Sequence, residues 1–253
     1  MSRIPTRLRP AAVAATVIVA VGLLAGCSDS TFSQPDAASE QGEHTLALWR
    51  IFIVVGAAVG AIVLGLILYV TIKFRRRSDE IPSQKANNVG WEAVYTITPI
   101  VIVAVLFTLS VTTQNKTEKH AANPDLTINV IGFQWGWQFE YPEQGVLVTG
   151  SGSAGERPTL VLPVGKTVHL VLRTVDVIHS FWVPEFLDKR DLIPGLDNSL
   201  DVTPNHVGTY DGKCAEFCLL DHWRMTFIVE VVTPEAFDSE LSKAVTATQG
   251  GPP

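Results

Sequence analysis

The spacing of apolar residues changes three times along the chain, and each change marks a different element. Ala11 to Ala25 is a fifteen-residue apolar run behind Arg3, Arg7 and Arg9. A basic start and a core too short to span a bilayer form the pattern of an export signal, here residues 1–26. Ile51 to Ile72 is 22 residues without a charge, about 33 Å as a helix and enough to cross a hydrocarbon core of about 30 Å. Trp49 and Tyr69 lie near its ends, where amphipathic rings prefer the membrane interface. A second apolar stretch, about Tyr95 to Val111, carries Thr96, Thr98 and Pro99. Proline inside a span needs neighbouring protein to satisfy the backbone it frees. With their flanks the spans are expected at about 47–73 and 93–114, a hairpin within 46–115.

From about Asn123 the period falls to two. Leu126–Phe133, Val168–Thr174 and Met225–Val232 alternate and are rich in β-branched residues. In Val168–Thr174 one face carries Val168, Leu170 and Leu172, the other His169 and Arg173, which makes His169 a surface strand residue rather than a ligand. Pro163, Pro184, Pro194-Gly195 and Pro204 punctuate the gaps, and Gly150 to Gly155 forms a loop. Many short strands with turn signals predict an all-β sandwich or barrel over 123–237. Residues 27–45 read as a polar tether and 238–253 as a flexible tail.

Charge sets the orientation. Between the spans lie Lys73, Arg75, Arg76, Arg77 and Lys85, whereas no Lys or Arg occurs between Cys27 and Arg50. The positive-inside rule places the connecting loop in the cytoplasm and both termini outside. Leu24-Ala25-Gly26-Cys27 looks like a bacterial lipobox, which would acylate Cys27 on that same outer face. From Pro124 onward 17 Asp and Glu face 8 Lys and Arg, a net of −9 within a chain total of −6. That balance gives no footing for nucleic acid and suits a cationic protein partner drawn in by long-range attraction.

The chemistry is concentrated near the C-terminus. Cys214, Cys218, His222 and Met225 stand in the spacing C-x3-C-x3-H-x2-M, and His179 sits within Asp176-Val177-Ile178-His179-Ser180-Phe181. Soft sulfur with imidazole suits copper better than magnesium or calcium, and two thiolates exceed what one blue-copper atom uses. Two thiolates can bridge two coppers, each completed by one imidazole. A disulfide, a Cys2His2 zinc site and a buried helical stripe remain as alternatives. Met225, the only methionine besides Met1, favours copper, and Gly208, Asp211 and Gly212 argue against a helix. Of the 3 cysteines, one then serves lipid and two serve metal. No Ser/His/Asp arrangement, phosphate loop or carboxylate pair suggests an independent catalytic site.

Two spans, an outer β-domain and the motifs Asp-Val-Ile-His-Ser-Phe and Cys-Ala-Glu-Phe-Cys-Leu-Leu-Asp-His-Trp-Arg-Met resemble subunit 2 of the haem–copper cytochrome c oxidases. Glu92 to Pro99 resembles that family's approach to the second span, Gln134 to Tyr141 its aromatic stretch, and Asp191 to Gly195 its turn. Gly136 departs, standing where many members have a third aromatic, and so does the Gly/Ser-rich loop.

The resemblance implies a cupredoxin-like Greek-key barrel, extracytoplasmic and anchored by the hairpin in a bacterial cell membrane, holding the binuclear copper A centre. Cys214 and Cys218 would bridge the coppers, His179 and His222 would bind one each, and Met225 and the Glu216 carbonyl would be weak ligands. The Glu216 side chain would reach a magnesium ion at the boundary with subunit 1. Electrons from cytochrome c would arrive through Trp135, with Glu140 and Asp176 as candidate docking acids. They would leave for haem in subunit 1, where oxygen is reduced to water and protons are pumped. Glu92 resembles a carboxylate at a proton-uptake entrance, although a helix-start acid is the plainer reading. On this view the chain is a non-autonomous subunit of an oxidoreductase and translocase. The alternative is a copper-binding or copper-delivery lipoprotein, which would need neither the hairpin with Glu92 and Pro99 nor the paired tryptophans.

Overall fold

A computed structural model describes residues 34–249 other than 78, 80, 82 and 86, without the side chains of 246–249. The export signal, the lipobox with Cys27 and the first part of the expected tether lie outside the described residues. Helix α1 runs Glu40–Lys73 and α2 runs Val89–Thr117. Both are long and apolar enough to cross a membrane, and their most apolar windows are unburied within the chain. Such surfaces need lipid or partner protein against them. The α2 start is capped twice: Asn88 accepts from the Trp91 N–H, and Glu92 accepts from the Asn88 N–H. That arrangement approximates a capping box.

The start of α1 corrects the tether expectation. Residues 36–45 do not hang free but lock the first span onto the β-domain. Ser39 is fully buried, accepts from the Gly42 N–H at 3.0 Å as the helix cap, and donates to the Phe186 carbonyl at 3.2 Å. Backbone bonds join Ala38 N–H to Glu185 O and Glu40 N–H to Thr203 O, while the Gln41 and Glu43 side chains accept from the Thr203 N–H and Asn205. A β-carbon at Gly42 would stand 2.7 Å from the Phe186 carbonyl oxygen, so only glycine allows the helix to approach this closely. Small and polar residues read as linker by composition. Here they are small because backbone must meet backbone.

Ten strands follow: β1 Leu126–Phe133, β2 Gly136–Tyr141, β3 Val146–Ser151, β4 Thr159–Pro163, β5 Val168–Thr174, β6 His179–Val183, β7 Asp188–Leu192, β8 Asn198–Val202, β9 Gly208–Cys214 and β10 Thr226–Val232. They form two five-stranded sheets, ordered β3-β2-β1-β5-β8 and β4-β10-β9-β6-β7. The β1–β5 and β10–β4 pairs are parallel and the other pairs antiparallel. Alternation along β1 and β5 turns Ile128, Val130, Leu170 and Leu172 inward, all fully buried.

Aromatic rings fill the space between the sheets near the end that carries the motif. Phe181 stacks on Phe227 at 5.0 Å, and Trp137 meets both edge-on. At Gly212 a β-carbon would overlap the Phe227 ring, so the strand paired with β10 must carry glycine there. Tyr141 ties β2 to β4, donating to the Val161 carbonyl and accepting from the Val161 N–H.

The expected C-terminal tail is also corrected. Residues Phe237–Gln249 form helix α3, with Phe237, Leu241 and Ala244 buried in the hydrophobic core. The spacing i, i+4, i+7 builds one apolar stripe, and Phe237 lies against Tyr141 with ring centroids 6.3 Å apart.

Candidate metal centre

The end of the second sheet brings the motif together. His179 opens β6 and Cys214 closes β9, and Phe181 pairs with Cys214 across these strands. The chain then loops out and returns through a short turn, His222–Arg224, into β10. Two backbone bonds pin the loop base: Cys214 N–H to Met225 O at 3.0 Å, and Ala215 N–H to Ser180 O at 3.1 Å. The intervals C-x3-C-x3-H-x2-M therefore describe one folded loop whose donors point back to its own base.

Within it each thiol has its own imidazole. Cys214 Sγ lies 3.8 Å from His179 Nδ1, Cys218 Sγ lies 3.5 Å from His222 Nδ1, and the two sulfurs are 3.9 Å apart. The Glu216 carbonyl is 3.3 Å from Cys214 Sγ, and Met225 Sδ is 3.9 Å from Cys218 Sγ. His179, Cys218 and Met225 are essentially inaccessible to solvent. His179 and both sulfurs lie within 4.8 Å of one another in a group that does not include His222. The four donors thus do not converge on one point, as a tetrahedral Cys2His2 zinc site requires. Two ions sharing two thiolates fit instead. Both cysteines are free, so the disulfide reading does not hold.

Surrounding groups orient these donors. Asp176 Oδ1 holds His179 Nε2 at 2.9 Å, leaving Nδ1 turned to Cys214, the arrangement by which metal-site imidazoles are fixed. Asp176 is itself anchored by the Gln134 and Val177 N–H groups. Burial pushes its carboxyl up, but His179 and these backbone donors together hold it below the usual carboxylate range. Burial, with the neighbouring Cys214, pushes the Cys218 thiol up to about 12. A bound cation supplies the positive charge that would let both thiols lose their protons.

Trp135 joins this centre directly. Its indole N–H donates to the Cys218 carbonyl at 2.7 Å, and Gln134 Nε2 donates to the same oxygen at 3.2 Å. Trp137, behind it, donates to the Met225 carbonyl and stands 6.4 Å from His179.

Other expected site residues are differently placed. Glu216 is exposed. Glu140 is not among the copper loops: it lies at the far end of β2 and accepts from Asn129 at 2.8 Å. Asp176 is engaged in holding His179 rather than free for docking. Glu92 caps α2. One feature escaped the sequence reading: Phe217, Leu219, Leu220 and Trp223 on the copper loop are all more than half exposed. Four large apolar residues on a ten-residue stretch that also carries ligands were the available signal.

Comparisons with known proteins identify the family. Residues 28–113 match the family model "Cytochrome C oxidase subunit II, transmembrane domain", and residues 154–232 match "Cytochrome C oxidase subunit II, periplasmic domain". A "Probable cytochrome c oxidase subunit 2" from Streptomyces avermitilis is 40% identical over 89% of this chain and 84% of its own length. The "Cytochrome c oxidase subunit 2" of Mycobacterium tuberculosis is 30% identical over 94% of this chain and 82% of its own. Among solved structures, the periplasmic domain of subunit II of cytochrome oxidase from Bradyrhizobium japonicum is similar, at 30% identity with a TM-score of 0.46. It covers 51% of this chain and 99% of that one. With a two-helix hairpin, a cupredoxin-like sandwich and a paired thiol–imidazole loop, the chain belongs to the cytochrome c oxidase subunit II family.

Proposed function

We propose that this chain takes electrons from a cytochrome c at a binuclear copper centre and delivers them to the haem of subunit 1 in a proton-pumping oxidase. The observation that carries the reading is the pairing of Cys214 with His179 and of Cys218 with His222 across a 3.9 Å sulfur–sulfur gap. When bound, a copper pair held by these residues would supply one-electron transfer with little rearrangement.

The protein's part is to hold donors in place and keep water away. Cys214, Cys218, His179 and His222 would hold the copper pair, with Met225 and the Glu216 carbonyl, beside Cys218 and Cys214 respectively, as weaker ligands. Trp135, bonded to the Cys218 carbonyl, is the residue we assign to electron arrival. The exposed Phe217, Leu219, Leu220 and Trp223 supply apolar surface for protein partners. The Glu216 carboxylate is the side chain we assign to a magnesium ion shared with subunit 1.

The basic loop between the spans favours a cytoplasmic placement, with both termini outside, and Cys27 is the proposed lipid anchor. Mass spectrometry of the mature N-terminus tests that anchor: lipid on Cys27 supports it, and an intact Met1 or bare Cys27 refutes it. For Glu92 the cap to Asn88 supports a helix-start role, so proton uptake is not assigned to it. The copper reading is tested by metal analysis and EPR of the purified chain. Two coppers per chain with the seven-line pattern of a shared electron are expected; one copper with a four-line pattern would overturn it.

A further inference from the structure

A second set of metal-ligating side chains lies away from the copper loop, where the chain leaves the second span and meets the first sheet. Asp201 at the end of β8 has a side chain only 2% exposed, and its Oδ1 faces two imidazole nitrogens: His169 Nδ1 at 2.5 Å and His120 Nδ1 at 3.1 Å. Its other oxygen accepts the Ala121 N–H at 2.6 Å. The rings stand edge to face, 5.5 Å between centroids. All three donor atoms lie within 4.8 Å of one another.

We infer that His120, His169 and Asp201 form a divalent transition-metal site of the zinc class, clamping the segment after α2 to β5 and β8. Two imidazoles and one carboxylate, with a position open to solvent, are ligands zinc accepts. Magnesium and calcium prefer oxygen alone. The second contacts are those a ligand set needs. Ser199 Oγ lies 3.4 Å from His120 Nε2, and a proton kept on that nitrogen leaves Nδ1 bare to bind. The Ala121 N–H occupies Oδ2 and leaves Oδ1 as the single donor oxygen. Three donors each about 2.1 Å from a tetrahedral ion stand about 3.4 Å apart. The Asp201 Oδ1 spacings, 2.5 Å to His169 and 3.1 Å to His120, are tighter, so both rings must turn outward to admit an ion, and His120, whose side chain is 52% exposed, has the more room to do so. Burial favours an ion here too: among the described residues the side-chain partners of this buried carboxylate are the two imidazoles, and a dication bound between them would balance its charge.

The competing arrangement is a plain hydrogen-bonded trio in which both rings donate to Asp201. Full-length chain in detergent, with its copper centre filled and excess copper chelated away, is equilibrated with zinc(II) or cobalt(II), desalted and its metals counted. One zinc per chain beyond the copper is expected, along with visible cobalt d–d bands and a higher melting temperature in zinc. His120→Ala, at a half-exposed ring, and His169→Ala should each weaken retention roughly tenfold or more, since each removes one of three ligands. The copper EPR signal should not change. Wild type that retains no extra ion, or variants that retain as much as wild type, would overturn the site in favour of the hydrogen-bonded trio.

Discussion

At the scale of single residues, the ligands act as a set and the groups behind them as holders. Cys218→Ser should abolish the copper centre, because the sulfur shared between the halves is lost; absorption and copper content check this. Met225→Leu should keep copper bound and shift its reduction potential, since a thioether at the edge of the set tunes more than it holds. Asp201 gives a pH test in the metal-free chain. Burial pushes its carboxyl up, but the Ala121 N–H and the two imidazoles hold it below the ordinary value. A depressed carboxylate contributes stability that is complete above its unfolded value of about 3.9 and fades as pH falls through the folded one. Wild type should therefore exceed Asp201→Asn in stability above about pH 4, and the difference should shrink below it. An unchanging difference would exclude the carboxylate's charge as its source. The copper ligands were legible because three scarce residue types met at fixed intervals in Cys214, Cys218, His222 and Met225, with His179 in a motif of its own. Asp201 was not, because its histidines lie 81 and 32 positions away: the β5–β8 pairing brings His169 to it, and the Ala121 N–H bond brings the His120 segment.

At the scale of elements, two segments that composition assigned to linkers are structural. The i, i+4, i+7 stripe of α3 was present in the sequence, but its Ser- and Thr-rich polar face masked it. Leu241 is 2% exposed, so Leu241→Ala should cost about 2–5 kcal/mol. A true tail would lose nothing, and thermal or urea unfolding separates the two. The seam at α1 has no periodic signal at all, since Ala37, Ala38, Ser39 and Gly42 act through backbone contacts. Gly42→Ala forces a methyl group against the Phe186 carbonyl and should destabilise by about 1–3 kcal/mol. The long spans and the strands with clean alternation were easier to read, because one face or all faces of each must be apolar.

At the scale of the whole molecule, attraction and electron arrival are separable. The outer part carries 17 acids against 8 bases, while the copper loop itself presents Phe217, Leu219, Leu220 and Trp223. On the proposed function, acids would steer a cationic partner from a distance and apolar contact would hold it at short range. For a freely diffusing cationic cytochrome, moving from 0.01 M to physiological salt shortens the screening length from about 30 to about 8 Å. Electron delivery should then slow by roughly tenfold or more. Trp135→Gln should behave differently. It removes no charge, so the salt dependence should stay, yet it breaks the indole bond to the Cys218 carbonyl. A loss on the order of tenfold is expected, equal to about 1.4 kcal/mol of barrier. Stopped-flow reduction of the copper centre across a salt series reads both effects in one experiment. Should Trp135→Gln keep the full rate, Trp135 is a packing residue, and Phe217 and Trp223 on the exposed loop become the next positions to test. If the variant instead loses its salt dependence, Trp135 belongs to the docking surface rather than to the path behind it.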